Sequence, residues 1–309
     1  MNNTSRFFHT VCGLSAICLL LLVSSPLALL AFADFNSSAS VIGLPLEQAP
    51  SQSTAINTSP NQNVDAYYIN ENPDNPPTAA KPVYDVFTVE ERQARGLVLE
   101  VPKVSQYYGE KVVYLTFDDG PDPENTPVIL DILKSNSIKA TFFVVGNEAE
   151  KYPDILRRIY QEGHAIGNHS YNHVYRDLYQ SANSYIAQLR HTDDVIKKAI
   201  GVRPRISRAP GGSAGSFTKE YWGALNKLGY IEVGWNISSG DASSAKANRI
   251  LNNIVSQMEN KNLWSHAIVL MHDGRGHAET VKALTDIIKY YKERKFEFRV
   301  VNFETPAPW

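Results

Sequence analysis

Val112-Val113-Tyr114-Leu115-Thr116-Phe117-Asp118-Asp119-Gly120-Pro121 decides how the rest of the chain is read. A short apolar run, rich in β-branched and aromatic residues, ends in two adjacent carboxylates and a Gly-Pro turn, the pattern of a buried strand running into a loop. Adjacent acids repel, so holding both ionised needs a cation or a strong donor nearby. A metal ion would take one acid as a ligand and leave the other free as a base. Taken alone, Asp-Asp-Gly is also ordinary turn punctuation at a protein surface.

A second stretch, Asn168-His169-Ser170-Tyr171-Asn172-His173, bears on that choice. The spacing puts two histidines at i and i+4 on one face of a helical turn, where both imidazoles can reach one ion. With Asp119 they form a His-His-carboxylate set that leaves positions open for water and substrate, as catalytic zinc requires. A closed structural site would want a fourth protein ligand, and no cysteine lies nearby to supply it.

These residues resemble the polysaccharide deacetylase family, the NodB-homology or carbohydrate esterase family 4 enzymes, over residues 110–303. The resemblance implies that Asp118 is the general base and that Asp119, His169 and His173 hold the metal, zinc first, with Co2+ or another divalent ion as alternatives. Arg208-Ala209-Pro210-Gly211-Gly212 is similar to the third motif, whose arginine orients the base and whose backbone N–H, here that of Gly211, faces the developing oxyanion. Leu270-Met271-His272 is similar to the fifth, whose histidine is the general acid. The fourth motif departs from the family's Asp-x-x-Asp-Trp, since this chain has Ser238-Ser239-Gly240-Asp241-Ala242 after Trp235-Asn236. In that alignment the family's tethering acid falls on Ser238. Asp241 is left either to support His272 instead or to cap a helix beginning near Ser243 or Ser244.

Tyr171, Tyr175 and Trp235 read as core aromatics or as rings that stack on a sugar, with Tyr171 and Trp235 taken forward as substrate-binding candidates. Asp273 and His277 are expected to be solvent-exposed loop residues, and His164 and His191 to be structural.

The 309 residues have ordinary globular composition and a net charge of −2, with no block of Lys and Arg, so nucleic acid is not an expected partner. The only cysteines, Cys12 and Cys18, lie in an early apolar stretch, which leaves the folded part without a disulfide or a thiolate nucleophile. Residues 11–33 are apolar, follow Arg6, and end in Ala31-Phe32-Ala33 like a signal-peptidase site, although the stretch is also long enough to span a bilayer, which takes ~20 residues. Residues 1–33 are therefore expected to be a signal peptide or a membrane anchor, and the bulk of the chain to be exported. Residues 34–82, rich in Ser, Asn, Gln and Pro, are expected to be a flexible linker. Residues 83–109 read as an N-terminal arm in which Thr88-Val89-Glu90-Glu91 caps a short helix, and residues 110–309 as the deacetylase domain.

In that domain, candidate strands at 112–117, 140–145, 164–167, 205–208, 231–235, 267–271 and 298–301 alternate with helical patterns at 126–135, 155–161, 186–200, 219–228, 247–258 and 280–292. Alternation of this kind argues for a parallel α/β sheet, either a distorted barrel or an open doubly wound sheet. The resemblance implies the deformed (β/α)7 barrel of the family. In either form the motifs lie where strands give way to loops, on the C-terminal face where parallel α/β folds collect their sites.

The function so implied is metal-dependent removal of N-acetyl groups from an acetylated glycan. Peptidoglycan N-acetylglucosamine is the first choice, and chitin or another poly-N-acetylglucosamine the second. One alternative is an esterase acting on O-acetyl xylan with the same site, and another is a glycan-binding module with a residual metal site.

Overall fold

The structure, a computed structural model, describes residues 64–71 and 80–308. The expected signal or anchor segment at 1–33 and most of the expected linker lie outside the described residues. In chain order the elements are β1 (Tyr67–Ile69), β2 (Val83–Asp85), α1 (Val89–Ala94), β3 (Val112–Asp118), α2 (Thr126–Ser135), β4 (Thr141–Val144), α3 (Gly146–Lys151), α4 (Pro153–Gln161), β5 (Ala165–Asn168), α5 (Tyr175–Leu178) and α6 (Ala182–Ile200). There follow β6 (Arg203–Pro204), β7 (Ile206–Ser207), α7 (Lys219–Leu228), β8 (Ile231–Glu232), β9 (Ile237–Ser238), α8 (Ala247–Gln257), β10 (Ala267–His272), α9 (Ala278–Glu293) and β11 (Glu297–Phe298).

The main sheet runs β8-β7-β5-β4-β3-β10-β9, every pairing parallel, with β11 added beside the start of β3. It curls into an open, deformed barrel, as the resemblance implied. Strand alternation decides what faces where. Val113, Leu115 and Phe117 of β3 pack with Phe142, Val269 and Met271 against the buried faces of α2, α4 and α9. Val112 and Tyr114 point the other way, into a smaller interior cluster with Phe143, Ile206, Val233 and Ile268. Four residues on from Tyr114 and two from Thr116, Asp118 keeps to that interior face. The β3–β10 register pairs Ile268 with Tyr114, Leu270 with Thr116 and His272 with Asp118. Pleating and register alone therefore bring the expected base and the expected acid to the same rim.

The remaining strands form a small second sheet, β1-β2-β6, in which β1 and β2 are parallel and β2 and β6 antiparallel. Part of the stretch expected to be linker, Tyr67–Ile69, is thus built into the fold. The signal was weak because a three-residue strand is below what periodicity can register. The expected strand at 205–208 is shortened to β7 in the main sheet, and β6 in the small sheet precedes it with Arg205 between them. The arm helix α1 has the expected capping box between Thr88 and Glu91.

A fully buried ionic cluster ties the arm to the barrel. Asp85 accepts hydrogen bonds from Arg92 at 2.6 and 2.8 Å, Arg203 at 3.2 Å and Arg205 at 2.9 Å. Arg203 also donates to Asp193 at 3.1 Å, and Asp193 takes further bonds from Tyr230 and from Asn168, the residue before His169. Burial and the neighbouring Arg203 draw Arg205 down to about 10 even against Asp85. Removing one member of such a cluster leaves the others buried without their counter-charge. Asp85→Ala is accordingly expected to destabilise the fold by about 3–5 kcal/mol, read as a shift in the denaturant unfolding midpoint. A loss below about 1 kcal/mol, the worth of a surface pair, would show the cluster to be dispensable.

Candidate active site

Asp118 and Asp119 would point to opposite faces of a continuing strand, but the chain turns at Asp119, which has φ +76°. Asp tolerates this left-handed conformation better than most residues. Both carboxylates then approach one imidazole, with Asp119 Oδ1 at 3.4 Å and Asp118 Oδ2 at 3.8 Å from His169 Nε2. The turn is pinned by Asp273, whose backbone N–H donates to Asp118 O and whose carboxylate accepts from Gly120 N at 3.2 Å and Thr126 Oγ1 at 2.6 Å. A methyl group on Gly120 would fall 2.1 Å from Asp273 Oδ2, so only glycine fits. Asp273 was expected to be exposed. It is 1% exposed, and burial, with Asp119 and Asp118 close by, pushes its carboxyl up to about 7.

The His169–His173 segment is not the helical turn that the spacing suggested. Ser170 and His173 both adopt positive φ, +68° and +55°. Asn168 Oδ1 accepts from Ser170 N and Ser170 Oγ from His173 N, so side chains satisfy a backbone that no helix does. The loop still brings the rings together, 5.1 Å apart. His169 Nδ1 lies 2.8 Å from Arg208 O; a carbonyl can only accept, so Nδ1 carries a proton and, in the neutral ring, Nε2 is the atom with the lone pair. Burial would lower the His169 pKa, but Asp118 and Asp119 raise it in the ion-free protein. His173 Nε2 is 3.2 Å from Asp119 Oδ1, and one ligand atom from each of Asp119, His169 and His173 lies within 4.8 Å of the others.

These residues fit a divalent ion on three counts. Asp119 Oδ1 is buried without a hydrogen-bond donor among the described residues. Burial would raise the Asp119 pKa, yet its contact with His169 and the charges of His169, His173 and His272 hold it well below the usual carboxylate range. Burial and the proximity of His169 lower the pKa of His173, which favours the neutral, ligating form.

Arg208, following β7, is fully buried. It donates to Asp118 Oδ1 at 2.9 Å, Thr116 Oγ1 at 2.7 Å and the carbonyls of Val233 and Gly234, both at 2.9 Å. Glu232, at the end of β8, accepts from Ala209 N at 2.6 Å and so fixes the loop that leads to Gly211. Its own pKa is pushed up to about 7 by burial, which those donors only partly offset. Gly211 and Gly212 have φ +73° and +87°, and the Gly211 N–H finds no acceptor among the described residues. A methyl group on Gly212 would come within 3.0 Å of the Trp235 ring, which therefore packs against the Gly211–Gly212 loop. Tyr171 does not. Its ring stacks on His191 of α6 at 3.8 Å and its hydroxyl donates to Glu150 of α3 at 2.9 Å.

Of the two readings of Asp241, capping falls away, since α8 begins at Ala247 with Lys246 at its N-cap. Asp241 Oδ1 accepts from His272 Nδ1 at 2.8 Å and Ser239 Oγ at 2.7 Å, and Oδ2 from His272 N and Thr280 Oγ1, both at 2.7 Å. Burial alone would lower the pKa of His272, but Asp241 first, then Asp118 and Asp119, raise it to about 9. Asp241 is correspondingly held at about 2 despite its burial. His277, expected in solvent, instead stacks on His272 with ring centres 4.9 Å apart. Asp241, His272 and His277 also cluster closely enough to ligate an ion, but four hydrogen bonds already occupy the Asp241 oxygens. His164, 1% exposed, accepts from Ala140 N and is structural.

Comparison with known proteins agrees with this geometry. A model of the family described as polysaccharide deacetylase matches residues 105–233. A peptidoglycan-N-acetylglucosamine deacetylase of Bacillus cereus is 35% identical, the alignment covering 62% of this chain and 67% of that one. A chitooligosaccharide deacetylase of a Bradyrhizobium species is 31% identical, covering 61% of this chain and 88% of that one. The solved structure of a Streptococcus mutans CE4 esterase superposes with a TM-score of 0.60 at 32% identity, over 69% of this chain and 95% of that one. The chain belongs to the polysaccharide deacetylase family, the NodB-homology, carbohydrate esterase family 4 hydrolases.

The ligand set is open to direct test by elemental analysis of the purified chain. His169→Ala is expected to lose its stoichiometric divalent ion while remaining folded. Zinc retained at one equivalent in the folded variant would remove His169 from the set.

Proposed function

We propose that this chain is an exported, zinc-dependent deacetylase that hydrolyses the N-acetyl groups of peptidoglycan N-acetylglucosamine. The observation that carries the proposal is a division of labour at one rim. Asp119, His169 and His173 converge on a point, while Asp118 beside them is engaged by Arg208 and lies across the sheet register from His272. A binding module would need the convergence but neither the arginine-held carboxylate nor the carboxylate-held histidine.

The two imidazoles and one carboxylate suit zinc and leave coordination positions open. When bound there, the ion supplies Lewis acidity, polarising an acyl oxygen and acidifying water. Arg208 fixes the Asp118 carboxylate, which accepts the proton of the water that attacks the acetyl carbon. The free Gly211 N–H donates to the oxygen on which negative charge develops. His272, held by Asp241 through Nδ1, presents Nε2–H to the departing amine and protonates it as the carbon–nitrogen bond breaks. The products are acetate and a free glucosamine amine. Peptidoglycan as substrate rests on the Bacillus cereus relative, and export on the apolar segment at 11–33. That segment, if retained, would also bring the chain to a membrane surface.

Acetate release from acetylated peptidoglycan, chitooligosaccharide and acetylated xylan, before and after chelation, tests the proposal. Release from the N-acetylated polymers that is lost on chelation and restored by zinc is expected. Release from xylan alone would make the chain an O-acetyl esterase, and none from any polymer a binding module.

Two substitutions probe the roles separately. Asp118→Asn is expected to keep its metal and lose turnover by ~10²–10⁴, the usual worth of a general base. Loss of the metal, or a near-normal rate, would contradict that role. With Asp241→Asn, His272 loses the charge that raises its pKa to about 9 and gives up its proton at lower pH. The alkaline limb of the pH–rate profile is therefore expected to move to lower pH with metal content intact. A limb that stays in place would mean that His272 works without its acidic partner.

A further inference from the structure

With Tyr171 turned onto α3 and α6, the tyrosine of this loop that stands beside the ligands is Tyr175. It opens α5, remains 52% exposed, and has its ring centre 5.5 Å from that of His173. Its hydroxyl makes no hydrogen bond among the described residues. On its other side the phenol covers Gly211, where a methyl group would lie 2.8 Å from Tyr175 Oη and 3.2 Å from Cζ. The missing Cβ at 211 thus leaves the room that the phenol fills, just as the missing Cβ at 212 leaves room for Trp235. Two glycines, one with a free N–H, are bounded by two aromatic rings.

Packing does not explain Tyr175. The neighbouring Tyr179 donates to Pro210 O at 2.6 Å and packs with the Tyr185, Phe217 and Tyr221 rings, whereas Tyr175 meets that cluster edge-on through the Tyr179 ring, at 6.0 Å, and stays half exposed. A half-exposed ring at the edge of a polar site offers an apolar face to a ligand that has one. A pyranose does, on the side of its axial C–H groups. A small acetyl ester carries no such face beyond its acyl group.

We propose that Tyr175 is a specificity-determining residue, its ring forming the wall against which the sugar bearing the acetyl group packs. The proposal rests on the deacetylase reading of the same site. It assigns to Tyr175 the choice of glycan over small acetyl esters, and no part in the hydrolytic steps.

The test uses the zinc-loaded full chain with two probes, an N-acetylglucosamine tetramer and methyl acetate, and adds calorimetric binding of the tetramer. Tyr175→Ala is expected to raise KM and Kd for the tetramer about tenfold, the worth of a well-packed aromatic contact. Its kcat on the tetramer, its kcat/KM on methyl acetate and its zinc content should stay at wild-type values. Tyr175→Phe, which keeps the ring, should bind the tetramer as wild type does. Unchanged tetramer binding by Tyr175→Ala overturns the proposal. So does an equal loss on both probes together with loss of zinc, which would mean that the ring merely braces His173. A wild-type chain that binds the tetramer but releases no acetate defeats the deacetylase reading, and calorimetry of Tyr175→Ala then still decides the wall.

Discussion

The ion pair between Arg208 and Asp118 is the contact on which the rest of the site depends. A fully buried guanidinium is costly unless its donors are satisfied and its charge is answered. Here Asp118 answers the charge, and Thr116, Val233 and Gly234 take the other bonds. The residues so joined belong to β3 and to the segment after β8, on either side of the barrel interior. The Arg208 carbonyl meanwhile accepts from His169 Nδ1, so one residue orients the base through its side chain and a metal ligand through its backbone. The next residues carry the free Gly211 N–H. Base, ligand and oxyanion donor thus share a single support.

A second buried network reaches the same place from the far side of the fold. Asp85 gathers Arg92, Arg203 and Arg205, Arg203 passes to Asp193, and Asp193 holds Asn168, whose own side chain shapes the turn after His169. The arm at 83–109 is therefore part of the scaffold that sets the ligand loop. On the same rim Asp273 and Asp241 do the equivalent work, the first for the Asp118–Gly120 corner and the second for His272.

Much of this was legible in the sequence because it rests on local rules. The apolar runs located the central strands, and the motifs at their C-terminal ends named Asp118, Asp119, His169, His173, Arg208 and His272, which meet there. What escaped was decided by long-range contacts or by backbone the spacing did not foretell. The His-x-x-x-His interval suggested a helix, but Ser170 and His173 at positive φ make an irregular turn that meets the same requirement. That turn also reverses the roles of two tyrosines, sending Tyr171 to His191 and leaving Tyr175 beside His173. Asp273 looked like a loop acid because nothing nearby in sequence shows that Gly120 and Thr126 come to cover it. Strand β1 was hidden by its length and its polar surroundings.

The central claim is that adjacent carboxylates divide their work, Asp119 going to the ion and Asp118 to Arg208. Anomalous diffraction at the zinc edge, from crystals of the zinc-loaded chain, tests this most directly. The account predicts one ion bonded to Asp119, His169 and His173, with Asp118 outside its coordination shell and still paired with Arg208. An ion bonded to Asp118, or one found instead among Asp241, His272 and His277, would contradict it.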